Sequence, residues 1–313
     1  MSNLPSSRSA LLFFIGLLAQ CTLVLGQDDT EQPKPRSSIL NYTPSKGWAI
    51  VMGTLYALTT LASLAWFFRH RGRYMFAFIV GGGFYSLGLY LRIMYAGDPT
   101  SVGKYAVMNL IILLSPCGFI AGVYMLLSRL AYHLDAVDLL AINARRLTKI
   151  FVISDVVTFW VQAGGGGLTA SQDDNMRNIG SKVFLGGLIA QLISFLIYTF
   201  VFALFVYRLH KYRRDEWDNR PQGFKNHWLA LVSMMAVSCV FIIIRSVYRS
   251  VESGQGREGQ LATHELYFYI LDTIVLWIGI TVYLITWPPR YLTGYTGKPS
   301  KESIPMTNSN GKV

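Results

Sequence analysis

The sequence predicts an all-α fold, a seven-transmembrane helix bundle with the N-terminus outside and the C-terminus in the cytosol. Three observations lead there. Apolar residues make up 52% of the 313 and charged residues only 14%, against roughly 25% charged in a soluble domain. Seven apolar runs are each close to the roughly 20 residues that cross a bilayer. Finally, Lys and Arg gather on alternate connections. Segments 69–73, 129–149, 208–225 and 290–312 hold 17, while 34–46, 104, 177–182 and 249–257 hold 8. That bias puts the first set in the cytosol. The net charge of +11 then follows from topology and from anionic inner-leaflet lipid, and calls for no nucleic-acid partner.

The chain opens on a different kind of segment. Arg8 precedes a short apolar run, 11–26, that ends in Val24-Leu25-Gly26 before polar, acidic sequence. This reads as a secretory signal peptide, residues 1–26; an uncleaved anchor is the alternative. Residues 27–46 form an extracellular segment. They contain Asn41-Tyr42-Thr43, a glycosylation sequon usable only on that side.

One membrane domain, 47–289, follows, with spans expected over 47–68, 75–95, 105–127, 150–168, 183–206, 227–248 and 266–287. Pro116 should kink the third. Cys117 and Cys239 fall within spans and Cys21 in the leader, so no disulfide framework is implied. The polar tail, 290–313, reads as disordered and cytosolic.

The fourth span is the most informative. It carries Asp155 and Gln162, seven residues apart and therefore on one helical face. Four glycines follow, Gly164, Gly165, Gly166 and Gly167. An ionisable group at the bilayer centre costs a few kcal/mol, so it faces protein interior or a wet cavity.

Other polar residues lie toward the outer ends of their spans. Arg92 closes the second, Gln191 sits in the fifth and Arg245 in the sixth, with Arg249 and Glu252 continuing one face of that helix. Glu265 marks the outer mouth of the seventh span. Asp272 lies seven residues on, roughly 10 Å deeper. Arg92 and Arg245 either snorkel to the interface or line a cavity. Asp155 and Asp272 either join neighbouring helices or serve function. The depth shared by the outer charges favours a cavity, with Asp272 paired to Arg245 or Arg92. Glycine runs at 81–83, 164–167 and 186–187 either permit close helix approach or leave space.

Several enzyme and motor signatures are missing from the sequence. There is no Walker A motif, no GxSxG elbow and no HxxxH or HExxH zinc spacing among the five histidines. The sequence is therefore read as that of a non-enzyme, with no cofactor and no metal site expected.

Three stretches carry a resemblance. DVVTFWVQAGGGGL, LLSPCGFIAGVYMLLSRL and IRSVYRSVESGQGREGQLATHELYFYILDTIVLWIG resemble the fungal RTA-like family, named for resistance to aminocholesterol and also called the lipid-translocating exporters. The recurrent family features fall on Asp155, Gln162 and Gly164 to Gly166; on Arg245, Arg249, Glu252, Gly254 and Gly256; and on Glu265, Tyr269 and Asp272. The likeness covers about residues 45 to 290. The chain departs from the pattern at Tyr85, where members often carry Glu, and at Trp287-Pro288-Pro289 in place of His-Pro-Gly. The first departure weakens any mechanism that needs an acid in the second span.

The resemblance implies a multi-pass plasma-membrane protein that translocates lipid or drug-like amphiphiles, export of sphingoid long-chain bases among them. Asp155, Asp272, Glu252 and Glu265 are candidates to receive a cationic amine. Membrane lipids and amphiphilic small molecules are the expected partners, and no cytosolic protein partner is legible. The competing reading is a seven-span receptor for amphiphiles or lipid asymmetry, with the basic segment 208–225 as its docking loop.

Overall fold

The computed structural model describes residues 44–70, 73–97, 101–169, 173–213, 228–256, 259–285 and 287–288. Among them, seven helices are long and apolar enough to cross a membrane. They are α1 (Lys46–His70), α2 (Phe76–Gly97), α3 (Val102–His133), α4 (Ala144–Leu168), α5 (Asp174–Tyr212) and α6 (Trp228–Gln255), then α7. The last is composite: an α-helical turn, Glu265–Tyr267, a π-helical stretch, Phe268–Ile274, and an α-helix, Val275–Ile285. No strand occurs among the described residues.

Helices α1 to α6 are longer than their apolar runs suggest, because polar caps and flanks extend them beyond the hydrocarbon, whereas α7 is not. Asn143 accepts from the Arg145 amide at the start of α4, and Asp173 from the Asn175 amide at the start of α5. Both satisfy an otherwise orphaned amide. At 39 residues α5 is about 58 Å long, well beyond the roughly 30 Å of a hydrocarbon core.

Consecutive helices pack against one another, and α7 closes the ring by contacting both α6 and α1. Of the seven spans α3 is the most enclosed and α1 the least. Small residues make the crossings possible. A Cβ on Gly118 of α3 would lie 3.1 Å from the Gly81 Cα of α2, and Ser115 donates to the Gly81 carbonyl at 2.6 Å beside it. Pro116 sits inside a continuous α3, next to that contact. Buried hydroxyls tie other neighbours: Ser86 of α2 donates to the Gly53 carbonyl of α1, and Tyr198 of α5 to the Val123 carbonyl of α3.

Candidate functional site

Helix α4 is built inside out relative to a soluble helix. Its buried stripe is Phe151, Asp155, Thr158, Gln162 and Gly165. Its exposed stripe is apolar: Ile150, Ile153, Val157 and Trp160 are each more than half exposed. Both follow helical spacing. An apolar exterior suits lipid, while the polar face is turned into the bundle.

Asp155 is the pivotal residue of that face. It is 3% exposed, and neither carboxylate oxygen has a hydrogen-bond partner. The Tyr124 hydroxyl of α3 faces it, outside good hydrogen-bond geometry. Cys117 of α3 lies within electrostatic range of Asp155 on one side and of Arg245 on the other. Farther along α4, Gln162 donates to Gln191 of α5 at 2.9 Å, and the Gln191 amide reaches the Cys117 thiol at 3.6 Å. Gln162 and Gln191, predicted separately, thus meet in one chain of contacts that ends on α3.

Below Asp155, toward the start of α4, aromatic rings fill the interior. Tyr124 packs on Phe151 at 5.3 Å and on Tyr198 at 4.4 Å between centroids, and Phe195 completes the group. Phe151 precedes Asp155 by one helical turn.

A second polar cluster occupies the end of the bundle where α1 begins. Asp272, fully buried, is held by two arginines of α6. Arg245 Nε lies 2.7 Å from one carboxylate oxygen, and Arg249 grips both oxygens at 3.0 and 2.9 Å. The Arg245 contact is an ion pair off the hydrogen-bonding line, and its Nη2 makes no hydrogen bond. Tyr85 of α2 donates to the same carboxylate at 2.8 Å. It stacks on Tyr56 of α1, whose hydroxyl donates to the Thr273 carbonyl. Arg249 also meets Glu252 at 3.2 Å.

Nearby, Arg92 of α2 pairs with Glu265 at 3.2 Å, and Glu265 accepts from the Ser45 amide at 2.8 Å. The Arg92 guanidinium lies over Phe268 at 4.3 Å. Tyr269 stacks on Trp48 at 5.7 Å. Three carboxylates, Glu252, Glu265 and Asp272, therefore match three guanidinium groups, and this cluster is neutral within itself. The π-helical stretch of α7 contains Asp272; such turns recur at functional sites.

Several expectations are settled by these contacts. The pairing of Asp272 with Arg245 is present, whereas Arg92 goes to Glu265 instead. Snorkelling of Arg92 and Arg245 is overturned: they are 3% and 6% exposed and held by carboxylates. The glycine runs do not open space between α4 and α5. A Cβ on Gly165 would lie 2.5 Å from the Phe184 amide nitrogen, and one on Gly187 would lie 2.7 Å from Gln162 Cγ. Among the described residues, nothing lies within 4 Å of a Cβ placed on Gly164 or Gly167. Tyr85, Tyr56, Tyr124 and Cys117 were not among the predicted site residues. Asn41, the leader and the tail lie outside the described residues.

The architecture defines a polytopic helical membrane protein with an internal polar site, enclosed by rings at one end and ion pairs at the other. The RTA1 like protein family matches residues 78–295, and the chain belongs to that family. Among curated relatives it is 27% identical to Protein RTA1 of Saccharomyces cerevisiae, across 80% of this chain and 84% of that one. It is 27% identical to the Sphingoid long-chain base transporter RSB1 of the same species, strain YJM789, across 83% and 72%. It is 28% identical to Protoporphyrin uptake protein 1 of that yeast, across 64% of each chain. No solved structure matches.

Proposed function

We propose that this protein translocates a cationic amphiphile, a sphingoid long-chain base or a sterol-like amine, across the plasma membrane and so confers resistance to toxic lipids or drugs. The observation that carries the reading is the contrast between acids. Asp272, Glu252 and Glu265 are each met by an arginine. Among the described residues no cation meets the buried Asp155, and neither of its oxygens has a partner in good hydrogen-bond geometry. Leaving a carboxylate so placed costs several kcal/mol, a cost that a bound ammonium group removes. The alkyl body of the substrate would stay between helices or in lipid. The names of the curated relatives support an amphiphilic cargo.

In this reading the leader ends at Gly26, residues 27–46 and Asn41 are extracellular, 47–289 is the transport domain, and 290–313 is a cytosolic tail. Gln162, Gln191 and Arg245 continue the polar route from Asp155 to Asp272. Arg92, Arg249, Glu252, Glu265 and Tyr269 close its outer end. The chain acts as a carrier and not as an enzyme.

The test is a flip assay in proteoliposomes that contain only this protein, with a fluorescent long-chain base. Wild-type vesicles should move the probe faster than empty ones, and Asp155→Asn should lose most of that gain. Binding of the probe with no movement would favour the receptor reading.

A further inference from the structure

We propose that Asp155 exchanges one proton for one cationic amine, so that amphiphile movement is coupled to proton movement; this rests on the translocation reading above. The argument starts from charge balance. Among the described residues, the titratable groups facing Asp155 are Tyr124 and Cys117 of α3. Beyond them stand Arg245 and Cys239 of α6 and Tyr198 of α5. The one cation in this set, Arg245, is committed to Asp272 at 2.7 Å. Nothing among these groups balances a second carboxylate.

The carboxyl is also closed off from solvent. The Tyr124, Phe151, Phe195 and Tyr198 rings fill the side toward the start of α4, and Asp155 is 3% exposed. In so enclosed a setting a bare charge is strongly disfavoured. The carboxyl therefore holds a proton or a cation, and one excludes the other.

The exchange balances. A primary amine, with a pKa of about 10 when unperturbed, arrives as an ammonium ion. It forms an ion pair with the carboxylate as the carboxyl proton is released to the side from which the amine arrived. On the far side the ammonium departs and the carboxylate takes up a proton from that side. The interior carries the same net charge at every stage. The neutral cluster around Asp272 has no such freedom, since each of its carboxylates already has a fixed cation.

Two measurements test this. The purified full chain in detergent, weakly buffered near pH 7, is titrated with sphingosine. Close to one proton should be released per molecule bound. Asp155→Glu should keep the release, and Asp155→Asn should abolish it. In proteoliposomes with an acid interior, a permanently charged N,N,N-trimethyl sphingosine should accumulate several-fold over Asp155→Asn vesicles. That probe cannot be trapped by protonation alone.

Binding and transport with no proton release and no response to the gradient would overturn the exchange and leave translocation standing. Release that persists in Asp155→Asn would place the proton elsewhere and overturn the assignment. Absence of both binding and transport at any pH would remove both readings. Should Asp155→Asn fail to fold, the wild-type stoichiometry and Asp155→Glu decide.

Discussion

Arg249 clasps Asp272 with two parallel contacts, Nε to one oxygen at 3.0 Å and Nη2 to the other at 2.9 Å. This planar fork joins α6 to α7, and a lysine cannot reproduce it. Arg249→Lys should therefore lower the melting temperature in detergent, even though charge is conserved. A variant as stable as wild type would show that the fork contributes little.

Removing the carboxylate is expected to be worse. Asp272→Asn leaves the Arg245 and Arg249 guanidinium groups facing each other in the bundle. Breaking a buried pair on one side costs about 3–5 kcal/mol. Adding Arg245→Gln to Asp272→Asn should recover part of that loss. Thermal unfolding of the single and double variants checks the order; a double variant less stable than Asp272→Asn would contradict it.

Asp155→Asn should behave oppositely. The carboxylate has no cation to strand, so the variant should reach the surface at normal abundance and lose resistance to a toxic long-chain base. Asp272→Asn should instead lose abundance first. Measuring surface level and resistance together separates the two. Normal abundance with normal resistance in Asp155→Asn would remove that acid from the mechanism.

Tyr85→Phe deletes one donor to Asp272 and keeps the stack on Tyr56. A hydrogen bond to a charged group is worth about 1.5–3 kcal/mol. A loss of stability in that range, with the fold intact by circular dichroism, is the expected result. An unchanged melting temperature would count against the bond.

The glycine run separates by position. Gly165→Ala places a methyl 2.5 Å from the Phe184 amide nitrogen and should sharply reduce folded protein. Gly164→Ala and Gly167→Ala meet nothing within 4 Å. They should be neutral or gain up to about 1 kcal/mol from helix propensity. Expression and melting of the three variants side by side give the answer.

The helices were legible because lipid demands long apolar runs, and Asp155 and Gln162 because seven residues return to the same helical face. The Asp272–Arg245 pair was legible as one of two alternatives, Arg245 or Arg92, because deep opposite charges at one depth have few other partners. Arg249 was read as the continuation of a helix face and as a recurrent family position, with no partner assigned to it. Asp272 lies in the π-helical stretch of α7, which changes the angular offset from Glu265, and the two acids meet different arginines. No periodicity announces such a turn. Tyr124 was equally hidden: a tyrosine in an apolar run reads as packing, and only the antiparallel alignment of α3 with α4 brings it to Asp155. The glycine run left two roles open, and the α4–α5 crossing selected one at Gly165.

That crossing has a mechanical consequence. Gly165 meets the backbone of Phe184, Gly180 meets the Thr169 amide, and Gly187 meets Gln162. Two helices this close over several turns, with the Gln162–Gln191 bond between them, leave little side-chain cushion to slide upon. They form a single stiff beam. Asp155 rides on it together with both glutamines, and keeps its distance from them whatever the rest of the bundle does. Any change that brings the acid to one face or the other must pivot at the contacts of this beam with α3 and α6, where rings and hydroxyls, rather than bare backbone, meet.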